Sequence, residues 1–314
     1  MTSLAARWGG TSHLTSIGGP VHYVDFDGPA DAPRLVFVHG LAGDHLNWCL
    51  LAPKLAGRAR MFAVDLTGFG LSEPMGRSAT VWANTDLLER FVRQTVGTPV
   101  ILVGNSMGGL VALRLARRRP DIVAGVVLID PALPFVLSLP DLRTVVTAAE
   151  YALPGIGRRL LAQDRRTLSA QQQVQLLIDL CFADSSAIPQ DLLAAAVALV
   201  QQRATMRGLD VAFGQAARSI VAVNARPFTA WAEVRQVRAP VLLLHGERDR
   251  LVPVRASRVA ARRNPHWTVE YFPDVGHVPQ LETPDLVAAR ILDWLDGPGA
   301  PAAHAAAGPQ SRQS

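Results

Sequence analysis

Residues 100–119 read VILVGNSMGGLVALRLARRR, and this stretch decides the fold. Residues 100–104 form a short run, apolar on both alternating faces, of the kind found in a strand covered on both sides. From Met107 to Arg119 the apolar residues recur with helical spacing. Between strand and helix stands Gly104-Asn105-Ser106-Met107-Gly108, a G-x-S-x-G sequence in the strand-turn-helix context that gives the motif its meaning. Glycines two residues either side of the serine permit a sharp, strained turn, and such a turn exposes Ser106 at a strand end.

Outward from this unit the same pattern repeats. Residues 34–39 (RLVFVH), 61–65 (MFAVD), 123–130 (VAGVVLID) and 241–245 (VLLLH) are buried-strand runs, and residues 269–272 add another. Residues 80–96 and 284–295 carry helical spacing, and 257–263 belong to a further helix. Strands alternating with helices define an α/β protein with a mostly parallel central sheet flanked by helices. Residues 21–26 (VHYVDF) alternate with polar positions and suit an antiparallel edge strand. From about residue 133 to residue 226 no strand candidate occurs, while helical stretches follow one another at 141–151, 170–181 and 191–202. The reading is therefore a core of residues 1–132 and 227–296, a helical cap inserted at 133–226, and a disordered tail at 297–314, where apolar bulk is too sparse to pack.

Composition excludes several function classes. With 49% hydrophobic and 18% charged residues among 314, the chain is neither intrinsically disordered nor a coiled coil. It has no apolar run near the ~18 to 20 residues of a membrane span, and the opening MTSLAARWGGTSHL lacks a signal-type apolar core, so a cytoplasmic protein is expected. The net charge of +5 rests almost wholly on arginines scattered along the chain, Lys54 being the one lysine, which argues against a nucleic-acid face. Cys49 and Cys181 have no zinc-type spacing, and no H-x-x-x-H or H-E-x-x-H pattern occurs, so neither metal nor cofactor is expected.

A serine hydroxyl near pH 7 needs a base within reach and an acid that orients the base. Asp249 follows the strand at 241–245 in Gly246-Glu247-Arg248-Asp249, and His277 follows the strand at 269–272 in Asp274-Val275-Gly276-His277. Ser106, Asp249, His277 is the chain order nucleophile, acid, histidine. Asp130 also ends a strand and stands as a competing acid. His39 and His245 are strand-end histidines suited to holding loops, and Asp65, with Gly68 and Gly70, suits bracing the loop behind the strand at 34–39.

These motifs resemble, in family order, those of the α/β-hydrolase superfamily, among its cap-bearing serine hydrolases: His39-Gly40-Leu41-Ala42-Gly43, the run from Asp65 to Ser72, the Ser106 elbow with Gly104 and Gly108, His245-Gly246-Glu247-Arg248-Asp249, and Gly276-His277. The resemblance spans residues 21–295 and implies the α/β-hydrolase fold. It implies Ser106 as nucleophile, His277 as base, Asp249 as orienting acid, and the backbone N–H groups of Leu41 and Met107 as oxyanion hole. A serine in place of an aspartate points to acyl transfer, with a small or medium apolar carboxylic ester as the substrate class and no cofactor. Two alternatives stay open: a carbon-carbon bond hydrolase of aromatic ring-fission products, which the elbow resembles although Val278 stands where those relatives commonly carry Trp, and a non-catalytic ligand-binding member. Residues 133–137, 151–156 and 192–200 would roof the site with apolar side chains, Arg203 and Arg207 could meet a substrate carboxylate, and a homodimer is allowed.

Overall fold

The structure is a computed structural model that describes residues 3–134, 167–186 and 188–297. Eight strands form one sheet: β1 (Thr11–Ser16), β2 (Pro20–Asp25), β3 (Arg34–Val38), β4 (Arg60–Val64), β5 (Val100–Asn105), β6 (Val123–Ile129), β7 (Val241–Gly246) and β8 (Thr268–Phe272). Their spatial order is β1-β2-β4-β3-β5-β6-β7-β8. Strands β4 through β8 are mutually parallel, and β1 and β2 are antiparallel additions.

The period of two divides the core into two layers. Val36 and Val38 of β3, Leu102 of β5, Val126 of β6 and Leu243 of β7 pack on one side, with helices α1 (Val81–Phe91) and α2 (Met107–Arg118). Leu35, Phe37, Ile101, Val103, Val127 and Leu242 face the other side. There Trp48 stacks on Phe37 with ring centroids 4.8 Å apart, and Val287, Ile291 and Trp294 of the last helix close the layer. Burying each such side chain stabilises the fold by roughly 1.5–3 kcal/mol, which is why these strands read as apolar on every position.

One sequence expectation needs correction. The 21–26 strand is antiparallel, but it is not the edge; β1 lies outside it, in register from Thr11 opposite Asp25 to Ser16 opposite Pro20. Thr11–Ser16 (TSHLTS) escapes a hydrophobic-pattern reading because it buries no side chain, and its Leu14 is 67% exposed. Backbone pairing through the Gly18-Gly19 turn holds it in place.

Between β6 and β7 the described residues include four α-helices, a short 3-10 turn (Arg203–Thr205) and no strand: α3 (Ala170–Cys181), α4 (Gln190–Gln202), α5 (Leu209–Asn224) and α6 (Pro227–Val234). Two of the sequence-stretch expectations, 141–151 and 151–156, and most of 133–137 lie outside the described residues, as do residues 298–314 of the tail. Helix α7 (Val254–Arg263) starts just after Pro253 and α8 (Pro284–Asp296) ends the described chain. Among the described residues no helix is long and apolar enough to cross a membrane.

Candidate active site

The chain runs from β3 outward to β4 and then returns to the far side of β3 as β5, so the strand order reverses between β3 and β5. In an open parallel sheet that reversal leaves a crevice at the carboxyl ends of the strands. The loop at residues 39–43 leaves β3 at this crevice, and Ser106 leaves β5. Asp130, Asp249 and His277 follow β6, β7 and β8 along the same edge.

Ser106 has φ 53° and ψ −117°, a left-handed conformation costly for a residue with a side chain, and it caps α2. Its neighbours force the conformation. Gly108 lies so close under the preceding loop that a Cβ there would sit 1.9 Å from the Val38 carbonyl oxygen, and Gly104, at the end of β5, faces the Gly108 backbone in the same way. Gly40 lies against Ser106 itself. Ser106 is 9% exposed and His277 5% exposed, so both are reachable yet largely shielded from water. Met107 begins α2, and the first N–H groups of a helix have no intrahelical acceptor, which leaves the Met107 N–H available beside the serine. Leu41 is half-buried in the facing loop.

The loop carrying Gly40 and Leu41 is held by His39. Its Nε2 accepts from the Leu66 N–H at 3.0 Å, so Nδ1 carries the proton and donates to the Gly40 carbonyl at 2.8 Å. Burial lowers the pKa of this imidazole, which suits a neutral ring with both nitrogens committed. Behind it the buried Asp65 carboxylate accepts from His22 Nδ1 at 2.7 Å, His45 Nδ1 at 2.9 Å, and the backbone N–H groups of His45 and Leu71, each at 2.8 Å.

Asp249 lies against His277: Nδ1 of the imidazole donates to Oδ2 at 2.7 Å. The other carboxylate oxygen accepts from the Leu251 and Val252 N–H groups at 2.7 and 2.9 Å, which fixes the acid's direction. Burial alone raises this carboxyl, but the charge of His277, its hydrogen bond and nearby His245 bring Asp249 below its ordinary value. Asp130 does not replace it. Its carboxyl is buried beside Asp249, with Oδ1 accepting from the Gly246 N–H at 3.0 Å. Burial, and then the Asp249 charge, push Asp130 well above the usual carboxylate range, opposite in direction to Asp249. His245 takes the loop-holding role expected of it: Nε2 donates to the Val252 carbonyl at 3.0 Å and Nδ1 accepts from the Ser257 hydroxyl at 2.6 Å. Burial lowers its pKa to about 4.

Two compact groups contain metal-type ligands, His22/His45/Asp65 and Asp130/His245/Asp249. In both, most of the lone pairs and protons are spent on the contacts just described, while His45 Nε2 and Asp130 Oδ2 have no hydrogen-bond partner.

Asn105 was not singled out by the sequence, yet its amide is the joint of the site. It donates to the Ile129 carbonyl and to the His277 carbonyl, each at 3.1 Å, and so ties the histidine loop to the residue preceding Ser106. A polar residue at the end of an otherwise apolar strand was its only signal in the sequence. Of the two arginines considered for a substrate carboxylate, Arg203 donates to the Gly68 carbonyl at 3.3 Å and Arg207 is an exposed residue whose backbone N–H meets Glu73.

A sequence profile described as the alpha/beta hydrolase family matches residues 35–290, every strand from β3 to β8 and each of these loops. The chain belongs to the α/β-hydrolase family. Among family members, a pimeloyl-[acyl-carrier protein] methyl ester esterase of Aromatoleum aromaticum is 30% identical over 269 residues, covering 84% of this chain and 99% of the relative. A protein named magnesium-chelatase 30 kDa subunit, from Rhodobacter capsulatus, is 28% identical over 89% of this chain and 93% of its own. The solved structure of 2-hydroxy-6-oxo-6-phenylhexa-2,4-dienoate hydrolase from Rhodococcus sp. strain RHA1 superposes with TM-score 0.71 at 22% identity, covering 91% of this α/β-hydrolase and all of the neighbour, a likeness of fold.

Proposed function

We propose that this α/β-hydrolase is a serine esterase acting on a small or medium apolar carboxylic ester. The observation that carries the reading is the assembly at one sheet edge: a strained, shielded Ser106, a His277 imidazole anchored to an ionised Asp249 at 2.7 Å, and an Asn105 amide joining the two loops. In this reading His277 takes the Ser106 proton as the hydroxyl attacks the ester carbonyl. The Leu41 and Met107 N–H groups receive the charge that develops on the carbonyl oxygen, and losing one such donor typically costs ~3–4 kcal/mol of barrier. The alcohol leaves with the proton from His277, and water then attacks the acyl-enzyme by the same route, with no cofactor.

The ester preference is supported by the methyl ester esterase relative, which aligns over nearly its whole length. The intact acid–histidine contact favours catalysis over a purely ligand-binding or subunit role. The helices α3 to α5 serve as a cap: one face of α4 packs Leu192 and Leu199 into the core layer of Trp48, while Leu193, Val197 and Val200 meet the cluster that contains Val278, next to His277.

The test is labelling and turnover together. A fluorophosphonate should attach to Ser106, and a series of p-nitrophenyl esters should be hydrolysed with a preference for short or medium acyl chains. Hydrolysis should be indifferent to chelators. A carbon-carbon hydrolase substrate turned over faster than every ester would move the assignment to the alternative chemistry. Failure to label would remove the serine mechanism.

A further inference from the structure

The end of α3 is fastened to both loops of the candidate triad. The backbone N–H of His277 itself donates to the Cys181 carbonyl at 2.7 Å. Glu282, five residues on, spans the same joint. One carboxylate oxygen accepts from the Gly276 N–H at 2.8 Å and the other from the Ala183 N–H at 2.8 Å, with the Asp184 N–H at 3.5 Å. Gly276 approaches so closely that a Cβ there would lie 2.5 Å from the Cys181 carbonyl oxygen.

On the acid side, Arg250, adjacent to Asp249, donates from Nη2 to the Asp179 and Phe182 carbonyls, each at 2.7 Å. The last carbonyls of a helix have no intrahelical donors, so a guanidinium placed there is doubly suited, by hydrogen bonding and by the helix dipole. Apolar packing completes the seam, with Val278 only 4% exposed among Val174, Ile178 and Phe182. Burial raises the Glu282 carboxyl while the surrounding backbone N–H groups oppose that rise, consistent with a carboxylate enclosed by donors.

We propose that Glu282 and Arg250 are positioning residues that bind the carbonyl end of helix α3 to the His277 and Asp249 loops, making this end of the helical segment part of the catalytic frame. The inference rests on the serine esterase reading for its catalytic consequence, though the joint itself does not. Any movement that admits substrate must then occur elsewhere, because shifting residues 179–184 pulls on the imidazole's own backbone. A displacement of ~1 Å at a reacting group is enough to cost on the order of 10²-fold in rate.

The experiment compares the full chain with Glu282→Ala, Glu282→Gln and Arg250→Ala, reading amide hydrogen exchange over residues 274–282 and p-nitrophenyl acetate hydrolysis. Glu282→Ala should exchange faster at this loop and lose about 10- to 100-fold in kcat with KM little changed, as expected for a misplaced reacting group. Glu282→Gln keeps one carbonyl acceptor and should recover part of the loss. Arg250→Ala, at an exposed side chain, should show the same pattern more weakly. Faster exchange with wild-type kcat, lost kcat with unchanged exchange, or a loss that appears in KM and not in kcat overturns the proposal. If Glu282→Ala does not fold, the other two variants decide by the same criteria. A wild type that fluorophosphonate fails to label sinks the esterase reading instead, and exchange over residues 274–282 then decides the joint alone.

Discussion

Two buried aspartates at the carboxyl edge of the sheet each gather histidines, and they put them to different use. Asp65 holds His22 and His45 through their Nδ1 atoms and ties down the backbone at His45 and Leu71. Asp249 holds His277 through Nδ1 at 2.7 Å, with His245 more distant at 3.6 Å. The local chemistry is nearly the same. The difference lies in what else each histidine is attached to: His22 Nε2 meets the Ser12 hydroxyl on the outer strand at 3.0 Å, whereas the backbone carbonyl of His277 accepts from Asn105, the residue before the strained Ser106. Under the proposed function, one aspartate–histidine pair braces a loop and the other transfers a proton, according to the loop each is tied to.

The largest effect should come from Ser106→Ala, which ought to remove on the order of 10⁶ in turnover, leaving what the oxyanion donors alone supply. The circular dichroism spectrum should be preserved, since the side chain is only a hydroxyl at a turn. Turnover near the wild-type value would show that a different nucleophile is at work.

The two aspartates should then separate. Asp249→Asn favours the wrong imidazole tautomer and removes the charge facing the imidazolium, a change expected to cost ~10⁴ in kcat. Asp65→Asn should instead appear in chemical denaturation as a loss of roughly 3–5 kcal/mol, because it strips the countercharge from a buried group, with kcat of the folded fraction changed far less. Equal kcat losses in both variants would dissolve the contrast.

A smaller effect concerns pH and stability. His245 has a folded pKa of about 4, depressed from an unfolded value of ~6.5, so between these values the unfolded chain binds the extra proton. Its contribution to stability is present above ~6.5 and is lost as pH falls toward about 4, by at most ~1.4 kcal/mol per pH unit. Denaturation midpoints of His245→Gln should be flatter than those of the wild type across this window; parallel curves would refute the linkage.

The smallest effect on activity is expected from Asp130→Asn. Asparagine puts a neutral group of the same shape beside Asp249 and leaves the Asp249–His277 contact in place, so kcat should stay within a few-fold. Because the native carboxyl is raised, it keeps its proton as pH climbs above the unfolded value of ~4, where the unfolded chain gives it up, and stability declines on that climb. The asparagine variant lacks this decline and should be at least as stable at neutral pH. A crippled Asp130→Asn with an active Asp249→Asn would exchange the roles of the two acids.

Much of this was legible before any coordinates. Apolar runs and the glycines around Ser106 carry local information, since a strand buried on both faces and a turn too tight for a Cβ each leave a mark in consecutive residues. Chain order was enough to nominate Ser106, Asp249 and His277. The outer strand Thr11–Ser16 was invisible because backbone pairing, and not side-chain burial, holds it.

What the tertiary structure alone decided are contacts between residues far apart in sequence. Asp130 and Asp249 look alike as strand-end acids, and only the fold shows which one accepts the His277 hydrogen bond and which is pushed toward its protonated form beside it. Asn105, Glu282 and Arg250 carry no motif of their own. Their partners are backbone groups of His277, Gly276, Ala183, Asp179 and Phe182, and a backbone carbonyl or N–H is chemically the same at every position in the chain. Sequence determines which side chains exist to make such bonds; packing of the sheet and helices decides which otherwise identical backbone groups come within hydrogen-bond reach of them.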